Sequence, residues 1–153
     1  MKPTVQDIDW MKKVKQVATG SGCVLPNSRV GAIAVRDGEV IMTGVNGVVG
    51  KITGCEEADC MRREIPSGTR REYAYCICAE QRMICKAARE GVSLKGAVAY
   101  VSHCPCATCV RMMIASGFEK AFYSREYNDP LSHEIAEKAG FDLIHINMEN
   151  KKK

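Results

Sequence analysis

Two short cysteine clusters limit what this chain can become. The first is Cys78-Ala79-Glu80. The second, after a strand-sized gap, is Pro105-Cys106-Ala107-Thr108-Cys109. Each stands where a helix is predicted to begin. Residues 81–90 include strong helix formers and neither Gly nor Pro. Residues 107–116 follow a proline and are apolar at Val110, Met113 and Ile114, the spacing of one helix face. A helix start carries unpaired N–H groups and the positive end of the dipole, which favour thiolate over thiol. Two such starts can aim Cys78, Cys106 and Cys109 at one point. Three thiolates hold a zinc ion with its fourth position open to water, the pattern of a catalytic site rather than a closed one. Glu80 is not needed as a ligand, and a carboxylate beside that water can move its proton. A structural Cys-rich knuckle would account for the thiols but not for Glu80.

The remaining pattern is that of an α/β domain. Thr4 is placed to cap a helix over 4–18, with Val5, Ile8, Met11 and Val14 as its core stripe. Gly20-Ser21-Gly22 ends it. Arg29–Val35 reads as a strand apolar on both faces, Asp37-Gly38 as a hairpin turn, and Glu39–Gly44 as the return strand. After the 79–90 helix, stopped by Gly91, strands are expected at 97–102, 120–123 and 141–146. They alternate with helices over 107–116 and 130–139, which end at Gly117 and Gly140. This order predicts a mixed sheet with helices on both faces. Residues 45–75, rich in Gly and charge, carry no legible regular structure. A structureless stretch of that length is usually functional or tied down. No repeat or linker divides the chain, so residues 1–153 are expected to form one domain.

Bulk properties exclude other classes. The net charge is +4, but Lys151, Lys152 and Lys153 supply three of those charges as a solvated end. Nucleic acid is therefore not an expected partner. No apolar run is long enough to span a membrane, and Met1–Trp10 lacks the apolar core of a signal peptide. A cytoplasmic location is expected, with the nine cysteines serving as metal ligands or buried thiols rather than disulfides. Cys85 and Cys104 read as inert core residues.

[His or Cys]-Ala-Glu followed by Pro-Cys-x-x-Cys is the arrangement of the zinc nucleobase deaminases, and this sequence resembles that superfamily over most of its length. The resemblance implies the cytidine-deaminase fold, a three-layer α/β/α domain with a five-stranded mixed sheet. Pro26-Asn27-Ser28-Arg29-Val30-Gly31-Ala32, Thr43-Gly44-Val45-Asn46-Gly47, Ala87-Ala88-Arg89 and Tyr127 further resemble the deoxycytidylate (dCMP) deaminases. That likeness implies contacts from Asn27 and Asn46 to base or sugar, from Ala79 through its backbone, and from Arg89 and Tyr127 to a 5′-phosphate. Read from the residues alone, Arg89 also fits a surface arginine at a helix C-terminus. Tyr127 fits a packing aromatic, and Asn27 and Asn46 fit turn residues.

Three departures from the family stand out. Cys78 replaces a histidine, Arg82 replaces an asparagine, and Val45 replaces an aromatic. A three-thiolate zinc carries one more negative charge, which makes its water harder to ionise. Arg82, four residues after Cys78 on one helix face, is expected to compensate by donating to the thiolates; an exposed helix arginine is the plainer alternative. Some dCMP deaminases carry a second, structural zinc. The resemblance places its ligands at Cys23, Cys55 and Cys76, with Cys60 completing a closed set that would pin the 45–75 loop.

The implied reaction is hydrolytic deamination of dCMP to dUMP, with Glu80 moving the protons and a carbonyl near Cys104-Pro105 accepting from the amine. The implied assembly is a homo-oligomer, commonly a hexamer, with Mg²⁺ entering only alongside an allosteric dCTP. Other substrates within the superfamily are cytidine, dCTP, a riboflavin precursor and adenosine in tRNA. Outside catalysis stands a competence-type zinc-binding module that would tolerate loss of Glu80. A thiol oxidoreductase on Cys106 and Cys109 would instead leave both thiols free to titrate.

Overall fold

The computed structural model describes residues 1–52, 60–66 and 68–148. In chain order these form α1 (Val5–Ala18), β1 (Gly31–Arg36), β2 (Glu39–Val45), β3 (Gly47–Val48), β4 (Cys76–Ile77), α2 (Ala79–Glu90), β5 (Val98–His103), α3 (Ala107–Ala115), β6 (Lys120–Arg125), α4 (Pro130–Ala139) and β7 (Asp142–His145). Five strands make one sheet in the order β2-β1-β5-β6-β7. β1 is antiparallel to both β2 and β5, while β5, β6 and β7 are parallel. β3 and β4 pair apart from it as a two-stranded ladder.

Burial explains the layers. β1 is buried over five of its six residues, as its two-sided apolar pattern predicts. Ala32, Ala34, Ala99, Val101 and Ala121 face Met83 and Ala87 of α2, Val110 and Met113 of α3, and Ala136 of α4 in one core. The alternate residues Ile33, Val35, Tyr100 and Phe122 pack on Met11 and Val14 of α1 in the other. The period of two along the strands thus assigns each side chain to one helix layer. Tyr100 stacks on Phe122 with ring centroids 5.1 Å apart, and its hydroxyl donates to Asp7 Oδ1 at 2.6 Å, tying α1 to the sheet.

The punctuation is local chemistry. Thr4 caps α1, its hydroxyl oxygen accepting from the Asp7 N–H while Asp7 Oδ2 accepts from the Thr4 N–H. Asp37 and Gly38, at φ 53° and 76°, make the tight turn between β1 and β2. Two expectations fail. Val5, the first residue of α1, is 77% exposed, and the buried stripe starts later, at Met11 and Val14. Cys85, expected in the core, is exposed on α2.

Candidate active site

The site forms where β5 and β6 end and α2 and α3 begin. Cys78 has extended backbone and is the N-cap of α2; its N–H donates to Gln81 Oε1 at 2.9 Å, closing the first turn. Cys106 is the N-cap of α3, and the Ala107 N–H donates to Asp129 Oδ2 at 2.8 Å. That carboxylate satisfies a helix-start donor and complements the positive dipole end. Neither Gln81 nor Asp129 was singled out from the sequence. Gln81 carries a signal, being the acceptor three residues after a cap; Asp129 carries none, because it acts across 22 residues.

Helix α2 enters unusually deep. A Cβ on Gly44 would collide with the Ala79 carbonyl oxygen and stand 2.7 Å from the Met83 nitrogen. Only glycine lets β2 approach so closely. Glu80 is thereby carried inside, 4% exposed. The sulfurs of Cys78, Cys106 and Cys109 lie within 4.8 Å of one another. Hydrogen bonds to Cys106 and Cys78, then burial and the nearby Glu80 charge, push the Cys109 thiol well above its ordinary pKa. Three buried sulfurs gathered at one point, one of them held strongly in the thiol form, are a donor set suited to a cation, which favours the thiolate instead. Zinc matches the sulfur ligands, and three protein donors leave one position open.

Cys78, Ala79, Glu80 and Cys106 line a cavity of about 460 Å³, within the range of small-molecule sites. Asn27, Asn46 and Tyr127 line it too, as do Cys23, Cys60 and Cys76. The Asn46 side chain is largely engaged by the protein: Oδ1 accepts from Ser21 Oγ at 2.6 Å and the Val30 N–H at 2.8 Å, and Nδ2 donates to the Ser28 carbonyl at 2.6 Å. It knots the 21–30 segment to the end of β2. The Tyr127 hydroxyl accepts from the Gly68 N–H at 2.9 Å. A Cβ on Gly68 would collide with the Asn128 carbonyl, so Gly68 itself is seated tightly beside 127–128. Cys23, Cys60 and Cys76 share the wall, and Cys55 lies outside the described residues.

Two sequence expectations are corrected. Arg89 is not in the cavity wall: its side chain is 74% exposed at the far end of α2, 3.6 Å from Glu90. Arg82 donates to carbonyls, not sulfurs, among the described residues: Nε to Val45 at 2.9 Å, and Nη2 to Gly47 at 3.0 Å and Val48 at 2.8 Å. The bend from β2 into β3 turns these oxygens toward α2, and they claim the guanidinium. The guanidinium side chains that do line the cavity belong to Arg62, Arg63 and Arg125. Beside Arg125, across the β5–β6 register, is His103. Its Nε2 is buried with no hydrogen-bond partner among the described residues. Burial, then the Arg125 charge, lowers its pKa and favours the neutral ring.

Residues 4–125 match the family model described as the cytidine and deoxycytidylate deaminase zinc-binding region. A deoxycytidylate deaminase of Schizosaccharomyces pombe is 33% identical over 140 residues, covering 90% of this chain and 42% of that protein. One from Mycobacterium phage D29 is 34% identical over 131 residues, covering 77% of this chain and 96% of that protein. The chain spans less than half the length of the yeast relatives it matches. Among solved structures, the dCMP deaminase of cyanophage S-TIM5 in complex with dCMP and dUMP superposes with a TM-score of 0.74. It is 24% identical, covers 95% of this chain and 99% of that one, and shares the fold.

Proposed function

Because this chain belongs to the cytidine and deoxycytidylate deaminase family, we propose that it hydrolyses the 4-amino group of dCMP, giving dUMP and ammonia, through its single domain over residues 1–153. The observation that carries the proposal is the three-sulfur cluster with Glu80 buried beside it on one cavity. Relatives named for dCMP support the choice of substrate.

Cys78, Cys106 and Cys109 would hold the zinc, which when bound supplies the Lewis acidity that makes water reactive near neutral pH. Glu80 accepts the two protons of the attacking water in turn, passing the first to ring N3 and the second to the departing amine. Its burial keeps that exchange away from bulk solvent. The Ala79 backbone and a carbonyl of the Cys104-Pro105 segment orient the base. Asn27 sits on the rim where the sugar would lie, and Asn46 positions that rim through its bonds to residues 21–30. Arg125 and Arg63, rather than Arg89, take the 5′-phosphate beside Tyr127; a guanidinium is the natural bidentate donor to it. His103 Nε2 gains a partner when a nucleotide oxygen or ordered water fills the wall next to it. Arg82 braces β3 against α2.

The same proposal includes a structural zinc on Cys23, Cys55, Cys60 and Cys76, three of which share the cavity wall. It includes a cytoplasmic homo-oligomer, a hexamer by family resemblance, with dCTP–Mg²⁺ as an allosteric ligand. Sedimentation with and without dCTP–Mg²⁺ tests the assembly. A turnover screen across cytidine, deoxycytidine, CMP, dCMP and dCTP, with zinc counted in the same sample, tests the reaction. Preference for dCMP is expected; equal rates on deoxycytidine would remove the phosphate from recognition.

A further inference from the structure

Behind the three-thiol cluster, the chain assembles another set of metal-ligating side chains from three separate elements. Cys104 follows β5, Glu126 follows β6, and His133 stands on α4. One ligand atom from each lies within 4.8 Å of the other two. The Cys104 sulfur is 3.6 Å from His133 Nε2, and Nε2 is 3.9 Å from Glu126 Oε2. We propose that Cys104, Glu126 and His133 form a second zinc site on the cavity wall, separate from the three-thiol site.

The sulfur–nitrogen spacing fits a Cys–His hydrogen bond and a shared ion alike, and the carboxylate decides between them. Tetrahedral coordination with Zn–S about 2.3 Å and Zn–N about 2.0–2.1 Å sets sulfur and nitrogen about 3.6 Å apart. The observed separation already has that value. Nε2 and Glu126 Oε2, 3.9 Å apart, are beyond a hydrogen bond, so a proton shared between sulfur and Nε2 does not account for the approach of that oxygen. Its other oxygen, Oε1, is fixed by the Tyr123 hydroxyl at 2.8 Å, the kind of outer contact that orients a ligating carboxylate. The Tyr123 ring meets the His133 imidazole edge-on, with centroids 6.1 Å apart, and sets its plane. One sulfur, one imidazole and one carboxylate suit zinc, and leave a position for water. With two exposed donors of three, this site is the weaker one. Cys104 is two residues before Cys106, and both Cys104 and Glu126 line the cavity. An ion here therefore stiffens the segment that presents Cys106.

The test uses full-length protein with its tight zinc loaded and excess removed, titrated with zinc against a competing chelator. Wild type is expected to bind one more equivalent than His133→Ala, a variant at a half-exposed position outside the cavity lining. Glu126→Gln is expected to weaken that same equivalent by more than the roughly tenfold that loss of an outer contact brings. Neither variant touches Cys23, Cys55, Cys60 or Cys76, so any structural zinc cancels from the difference. Equal uptake with equal affinity in wild type and both variants would overturn the site and leave an ordinary Cys–His hydrogen bond.

Discussion

The two ends of α2 put the same helix to opposite uses. At its start, Cys78, Ala79 and Glu80 are packed under β2, where Gly44 removes the side chain that would hold them off. At its finish, Arg89 faces solvent. Eleven residues at about 1.5 Å each put Cys78 and Arg89 roughly 16 Å apart along the axis. A short motif is informative about chemistry only where the backbone that carries it is held in place. The first end is held by a cap, a close strand approach and a guanidinium brace; the second is held by the core packing of Ala87 and the Gly91 cap, which leave the outward side chains free.

Substitutions can break this contrast, and the largest effect is expected at Glu80. Glu80→Gln should lower the turnover number by about 10²–10⁴-fold, the usual worth of a positioned acid–base group, with zinc content unchanged by elemental analysis. Substantial remaining turnover would return the trio to a purely structural role. Next is Arg125→Ala, which should raise KM for dCMP by about 10–100-fold, the worth of a charge-assisted bond of about 1.5–3 kcal/mol. Cytidine kinetics should be nearly unaffected. Gly44→Ala should cost about 1–3 kcal/mol by chemical denaturation, as overpacking does, and lower turnover because the α2 start must shift. Arg82→Ala should cost about 1 kcal/mol and leave the pH–rate profile in place; a displaced profile would mean that its charge reaches the zinc after all. Smallest is Arg89→Ala, expected to leave KM for dCMP within about twofold, since exposed charges contribute little.

Legibility in the sequence followed the range of the forces involved. The hairpin at Asp37-Gly38, the Thr4 cap and the glycine stops at 91 and 140 are decided by a few neighbouring residues, and their positions were readable. The trio was readable because helix starts converge and because thiols at such spacing have few other uses. Arg82 was misassigned because its partners lie 34 to 37 residues earlier, on carbonyls whose direction no residue type encodes. The β3–β4 ladder was missed because each strand is two residues long. Cys104 looked inert because Glu126 and His133 reach it only through the parallel stacking of β5 and β6 and the return of α4.

The Asp129 carboxylate caps the helix that carries Cys106 and Cys109, yet the family-model match ends at residue 125. A fragment trimmed to the recognisable domain would retain every sulfur of the cluster and lose the acceptor that steadies two of them. Whoever shortens this protein for crystallisation or grafting should cut after β7, because the limit of that match passes through the scaffold of the thiol cluster and leaves out a strand of the sheet.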